Sequence, residues 1–250
     1  MGTVVSVRLP LATDAAALPL IDRLGVIFTN YDRRFSLYRP ESELSAVANG
    51  TLTLPQASVE LRDAYAEALL WRQHTDGAFT PHRPDGTIDL NGLIKATAMQ
   101  QSGDALTAAG ITDWCLNVGG DVSVSGSQQL GSAWTIGIVD PADRTTLLCS
   151  IVQLGTRTAV ATSGSAERGD HIWRSPGQTD RPFAQVTVIA NNIVTADVLA
   201  TAIVAGGAAM LERATDRWPV DVLTVASDGT LCATPGFRAA LRRAKEEGNV

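Results

Sequence analysis

Apolar and polar positions divide the chain into alternating period-two runs and longer runs at helical spacing. Thr3 to Leu9 alternates as a half-buried strand does, and Asp14 to Phe28 then places Ala17, Leu20, Ile21, Leu24 and Ile27/Phe28 on one side of a helix. Glu41 to Ala48 predicts a short helix behind Pro40, with Ser42 as a possible cap. Ser58 to His74 predicts a longer amphipathic helix ending in a histidine favoured by the helix dipole. Asp76 to Leu90 is turn-rich and hairpin-like, and Asn91 to Gln101 reads as the start of another helix. Strands are predicted at Trp114 to Val118, Val122 to Val124, Trp134 to Val139, Leu147 to Leu154, Ala184 to Ala190 and Val220 to Val225. Ile193 to Gly207 is a strongly apolar helix interrupted by one acid, and a charged helix closes the chain. Strands clustered after helices indicate an α+β fold, with mixed or antiparallel sheets packed against helices, rather than a regular βαβ winding.

Length and composition narrow the classes. With 250 residues, 45% of them hydrophobic, the chain can bury a sizeable core, and nothing marks a boundary, so one domain over 1–250 is expected. A net charge of −6 and a pI near 5.0 argue against nucleic acid as a partner. Cys115, Cys149 and Cys232 are odd in number and form no CxxC pattern, so reduced thiols and a cytoplasmic location are the simplest reading. The first residues show no basic and apolar leader pattern, and no membrane segment is expected.

Candidate chemistry concentrates in Val160 to Trp173, where a small-residue turn (Thr162, Ser163, Gly164, Ser165) is expected after an apolar strand. Glu167, Arg168, Asp170 and His171 follow, and the stretch reads either as an anion-binding site or as a polar surface loop. Tyr31 to Tyr38 brings two tyrosines and two arginines before a turn, suited to covering a ring ligand or to capping the core. The helix start beside Gly92 and Lys95 is a plausible phosphate seat, and Lys95 sits in an otherwise apolar stretch. Gly119 and Gly120 before Asp121 allow backbone to approach a ligand. Asp197 and Thr201 lie one turn apart on one helix face, and a lone carboxylate among Val194, Ala196, Val198, Leu199 and Ala200 needs a cation or a backbone cap if buried. A carboxylate and a hydroxyl, completed by phosphates and waters, are ligands that Mg²⁺ favours.

These segments, taken in order, resemble one family. MGT at Met1, SLY and SEL between Ser36 and Leu44, NGLIK at Asn91, NVGGD at Asn117 and W-x-I-G-I-x-D-P at Trp134 are similar to motifs of the ApbE family of bacterial FAD:protein FMN transferases. So are ATSG at Ala161, ERGDHI at Glu167, VTVIA at Val186 and ADVLATA at Ala196, and the resemblance covers almost the whole chain. It implies an α+β domain that binds FAD and Mg²⁺ and transfers FMN to a threonine hydroxyl of an acceptor protein, releasing AMP, with FAD hydrolysis as a side activity. It further implies that Asp197 and Thr201 hold the metal with a backbone carbonyl near Lys95 and Ala96. Met1, Tyr38, Lys95, Asp121, Ser163 and Gly164 would line the FAD site, with His171 as general base. Where the family reads K-G-aromatic-A-x-acid, this chain reads Lys95-Ala96-Thr97-Ala98-Met99-Gln100, so a FAD-binding protein without turnover is the alternative.

Overall fold

A computed structural model describes residues 2–10, 14–129, 131–153, 155–164 and 182–242, with side chains from residue 17 onward in the first helix. Nine strands and six helices are named here. The strands are β1 (Val5–Arg8), β2 (Trp114–Val118), β3 (Asp121–Ser125), β4 (Thr135–Val139), β5 (Leu147–Val152), β6 (Ala159–Gly164), β7 (Phe183–Ala190), β8 (Asp221–Ala226) and β9 (Leu231–Ala233). The helices are α1 (Asp14–Phe35), α2 (Glu43–Ala48), α3 (Val59–His74), α4 (Asn91–Ala108), α5 (Ile193–Arg217) and α6 (Pro235–Ala240). Seven strands form one sheet in the order β1-β2-β3-β6-β7-β8-β9, and β4 pairs with β5 separately. Every pairing is antiparallel. The α+β expectation is met.

Strand alternation sorts the sheet into two faces. Leu116, Val118, Ala159, Ala161, Val186, Val188 and Val222 point to the helices, where they pack with Leu93, Ile94, Met99, Leu199 and Ile203 of α4 and α5. Val122, Val124, Val160, Ile189 and Leu223 point the other way, against Trp134, Ile136 and Ile138 of the β4–β5 hairpin and Phe237 of α6. The result is three layers: helices, sheet, and hairpin with its short helix.

Caps set the helix starts. Ser42 accepts from the Ser45 N–H and Ser58 from the Leu61 N–H, each satisfying a first-turn donor. Asn192 does the same for α5 through the Thr195 N–H at 2.8 Å. α5 changes direction at Gly207, where φ is +64°, a left-handed conformation open to glycine.

Several expectations are corrected. α1 runs on to Phe35, so Tyr31 and Phe35 are one helical turn apart with ring centroids at 5.5 Å; Tyr31 caps the core from within a helix. Thr162, Ser163 and Gly164 form no turn: they complete β6, and register partners Thr187, Val186 and Gln185 on β7 hold their backbone. A β-branched threonine between small residues satisfies a central strand as well as it satisfies a loop. A segment of membrane-spanning length does occur, contrary to expectation. α5 is long and apolar enough by length and composition, and 67% of its apolar window is buried inside the fold. β9 and α6 are additional to the predicted elements, and the sequence's charged last residues, 243–250, lie outside the described residues.

Candidate functional site

On the helix face of the sheet, four chain segments far apart in sequence bring charged and hydroxyl groups together. Asp121 opens β3, directly after the tight turn in which Gly119 and Gly120 have φ of +61° and +97°. The turn is closed by the Gly120 N–H donating to Asn117 Oδ1 at 3.2 Å. Asp121 is 1% exposed. Its Oδ1 accepts from the Thr162 N–H at 3.0 Å, which ties the carboxylate to β6, the neighbouring strand.

Lys95 reaches this carboxylate from α4. Its Nζ is ion-paired with Asp121 Oδ2 and stands 3.4 Å from Asp197 Oδ2, contributed by α5. Lys95 and Asp197 are also buried. Asp197, the one acid in the apolar stretch from Ile193 to Gly207, therefore has a cationic partner, the first of the two solutions its burial required. It lies in the second turn, beyond the first-turn N–H groups that would act as a cap. One turn further along α5, Thr201 Oγ1 lies 3.1 Å from Ser163 Oγ of β6. Gly164, next in β6, has no room for a side chain, since a Cβ would come within 2.7 Å of the Ala184 carbonyl oxygen.

Charge balance decides what this arrangement can hold. Among the described residues two carboxylates meet one ammonium in a site screened from water, an arrangement in which the acids would attract a further cation. The donors are all oxygens, from Asp121, Asp197, Thr201 and Ser163, a set that suits a hard divalent ion such as Mg²⁺. Among the described residues no group of three or more His, Cys, Asp or Glu side chains gathers. The residues present fit Mg²⁺.

The other expected residues fall as follows. Ala96 is fully buried beside Lys95 in α4. Tyr38 is 73% exposed in the turn between α1 and α2, and among the described residues no bond joins it to this cluster. Met1 and His171, with the rest of the stretch from Ser165 to Trp173, lie outside the described residues. At the start of α4, where a phosphate seat was expected beside Gly92 and Lys95, Asp89 Oδ1 accepts from the Asn91 N–H at 3.0 Å, and Arg83 pairs with Asp89 at 2.8 Å. The chain thus places a carboxylate of its own at the positive end of α4.

Sequence reasoning missed how the residues are joined. The Thr162 N–H that holds Asp121, and the Ser163–Thr201 hydroxyl pair, depend on β3, β6 and α5 being neighbours, which no local pattern encodes. It also missed a polar row on the opposite sheet face. There Thr162 Oγ1 and Thr187 Oγ1 are 3.0 Å apart, and buried Gln185 donates to the Val139 carbonyl at 3.1 Å. The signal for this row is the period-two placement of Gln185 and Thr187 in β7.

Comparison with known proteins agrees with the fold. The ApbE family model matches residues 80–224. The FAD:protein FMN transferase of Rhodobacter capsulatus is 34% identical over 171 residues, 63% of this chain and 32% of that protein. The corresponding protein of Vibrio cholerae is 28% identical over 160 residues, 58% of this chain and 47% of that one. These matches span about a third to a half of the relatives' own lengths. Among solved structures, the ApbE protein of Thermotoga maritima superposes with a TM-score of 0.78 at 20% identity, covering 96% of both chains. The flavin transferase ApbE of Vibrio cholerae gives 0.74 at 22%, again over 96% of both. With more than half of the chain inside the family model, and the buried Lys95, Asp121 and Asp197 cluster held by its strands and helices, this chain belongs to the ApbE family.

Proposed function

We propose that the protein is an FAD:protein FMN transferase, which moves FMN from FAD to a threonine hydroxyl of an acceptor protein and releases AMP. The observation that carries this reading is the pair of buried carboxylates, Asp121 and Asp197, gathered around Lys95 beside two hydroxyls, an oxygen-rich set suited to a divalent cation and, through it, to a pyrophosphate substrate. Relatives named for the same activity support it. In the transfer, the threonine oxygen attacks the FMN-side phosphorus, the P–O bond to AMP breaks, and the hydroxyl proton passes to a base. FAD and the acceptor hydroxyl become the phosphodiester-linked FMN, AMP and one proton.

Asp197 and Thr201 would hold Mg²⁺, with the Ala96 carbonyl as a third ligand. Bound there, the ion supplies neutralisation of the pyrophosphate charge and Lewis acidity at its oxygens. Asp121, fixed by β6, holds Lys95 in place, and the ammonium is available to the substrate phosphates. Ser163 orients Thr201, and Gly164, which has no room for a side chain against the Ala184 carbonyl, is proposed to line the nucleotide with its backbone. His171 is the proposed base, since imidazole titrates near neutrality. Met1 and Tyr38 are proposed to line the flavin. The cytoplasm is the proposed compartment, supported by the free thiols of Cys115, Cys149 and Cys232.

The test is intact-mass analysis of threonine-bearing acceptor proteins after incubation with FAD and Mg²⁺, with AMP followed by chromatography. An FMN-sized adduct with stoichiometric AMP is expected, and both should vanish in Asp197→Asn. FAD left intact, with neither adduct nor AMP, would refute the reading. AMP without adduct would mark a hydrolase instead.

A further inference from the structure

A cation site made of Asp197, Thr201 and nearby oxygens has no need of an ammonium between its carboxylates, yet Lys95 is there. Ordering and burying a lysine costs free energy that only a good ion pair offsets. The chain contains only two lysines, Lys95 and Lys245, against eighteen arginines, so this one is not drawn from a general surplus. Its Nζ does not treat the two acids equally. It is ion-paired with Asp121 and stands at 3.4 Å from Asp197 Oδ2. Asp121 is the fixed partner, because the Thr162 N–H holds its other oxygen. Asp197 is the more distant of the two from the ammonium, and it is also the acid placed one turn from Thr201 on α5.

We propose that Lys95 competes with a divalent cation for Asp197, so that cation uptake draws Asp197 away from the ammonium while Asp121 keeps it. The proposal rests on the reading of Asp197 and Thr201 as the metal ligands. A single positive charge a few ångströms from a doubly charged ion opposes its binding through a screened but poorly hydrated medium. The affinity of the site for the cation alone is thereby held down. An anionic pyrophosphate, arriving with the cation, supplies the negative charge that reconciles both positive groups. Lys95 is thus a positioning residue that couples metal occupancy to substrate occupancy, and this coupling is reciprocal.

The experiment measures binding of Mn²⁺ alone, by electron paramagnetic resonance, to the whole chain and to Lys95→Met and Asp197→Asn. Lys95→Met is expected to bind Mn²⁺ about tenfold more tightly, and Asp197→Asn to lose the site. Equal or weaker affinity in Lys95→Met, with wild-type binding present and lost in Asp197→Asn, overturns the role of Lys95 while leaving the metal site intact. No Mn²⁺ binding by either the wild type or Lys95→Met overturns both. Should Lys95→Met fail to fold, wild-type protein labelled with ¹⁵N-lysine serves. With only two lysines to assign, the protected Lys95 ammonium signal is expected to shift and exchange faster as Mg²⁺ is added. A signal that stays in place while calorimetry shows Mg²⁺ binding overturns the proposal.

Discussion

α4 carries Lys95 to Asp121, and the distance at which α4 rides over the sheet is set in part by Gly103. A Cβ at Gly103 would lie 2.6 Å from Cη2 and 2.9 Å from Cζ2 of Trp114 in β2. Trp114 is 6% exposed, so its ring has little space into which to withdraw. In Gly103→Ala two effects oppose each other. Alanine is the better helix former by about 1 kcal/mol. Overpacking against a rigid ring costs about 1–3 kcal/mol, and a contact this short belongs near the upper end. A net loss of about 1–2 kcal/mol follows, which for a chain of this size lowers Tm by about 2–8 °C. The helix must also rise by about 1 Å, enough in a positioned site to cut turnover on the order of a hundredfold. Thermal and urea unfolding, followed with and without Trp114→Phe, checks this. Phenylalanine lacks the indole atoms that clash, so Gly103→Ala should become neutral or stabilising in that background. The same destabilisation in both backgrounds, or a Tm raised by Gly103→Ala alone, refutes the packing argument.

Four further outcomes are expected. Thr201→Val removes the hydroxyl bonded to Ser163 at almost constant volume, costs about 1 kcal/mol of stability, and raises the Mg²⁺ concentration needed for half-maximal AMP release; an unchanged Mg²⁺ dependence removes Thr201 from the ligand set. Ser58→Ala deletes the cap of α3 and the 2.6 Å bond to Glu43, lowering stability by about 1–2 kcal/mol in urea titrations, and no loss means that the loop recaps the helix. Burial pushes the Cys115 thiol from 9.0 up to about 11, so the native state holds its proton more tightly than the unfolded state does. Its stability contribution is then complete below pH 9 and lost as pH rises through 11, and alkylation at pH 8 should spare Cys115 until denaturant is added. Desolvation, reinforced by Arg72, holds His82 below its usual 6.5, and its Nε2 lies 3.0 Å from the Tyr65 hydroxyl. The sign is opposite to that of Cys115: stability is present above pH 6.5 and falls as His82 is protonated, and His82→Gln should flatten the urea midpoint on the acid side of that value.

Elements were legible wherever one physical signal dominated. Ser42 announced α2 as a cap hydroxyl, and the helical spacing of Leu61, Tyr65, Ala68 and Leu69 announced α3. β7 was legible from its apolar run, being buried on both faces between hairpin and helices. α1 was cut short because Tyr31-Asp32-Arg33-Arg34 looks like a polar turn in one dimension. In the fold the arginines are the last turn of a helix, where the dipole favours them, and Arg34 reaches Glu43 and Glu60 at 3.5 Å. Thr162, Ser163 and Gly164 misled in the opposite sense. Small polar residues signal a turn only when nothing lies beside them, and β7 lies beside these.

The site shows where local reasoning must stop. Lys95, Asp121 and Asp197 could each be marked singly, since a charge inside an apolar run is costly wherever it goes. Nothing local showed that the three costs cancel against one another. That depends on sheet order: β3 and β6 are adjacent although thirty-odd residues separate them, and α5 packs over β6 and β7. Once the strands are in register, Asp121 stands opposite Ala161 in the row beside Val122 and Val160, Ser163 follows two residues on, and α5 lays Thr201 over it. Lys95 then has to choose between two acids, and the geometry has it leaning on Asp121. A buried cluster with an even charge balance would be finished as a structural device. In this one two described carboxylates meet one ammonium, an imbalance that under the proposed function a cation would answer and, through the cation, a phosphate.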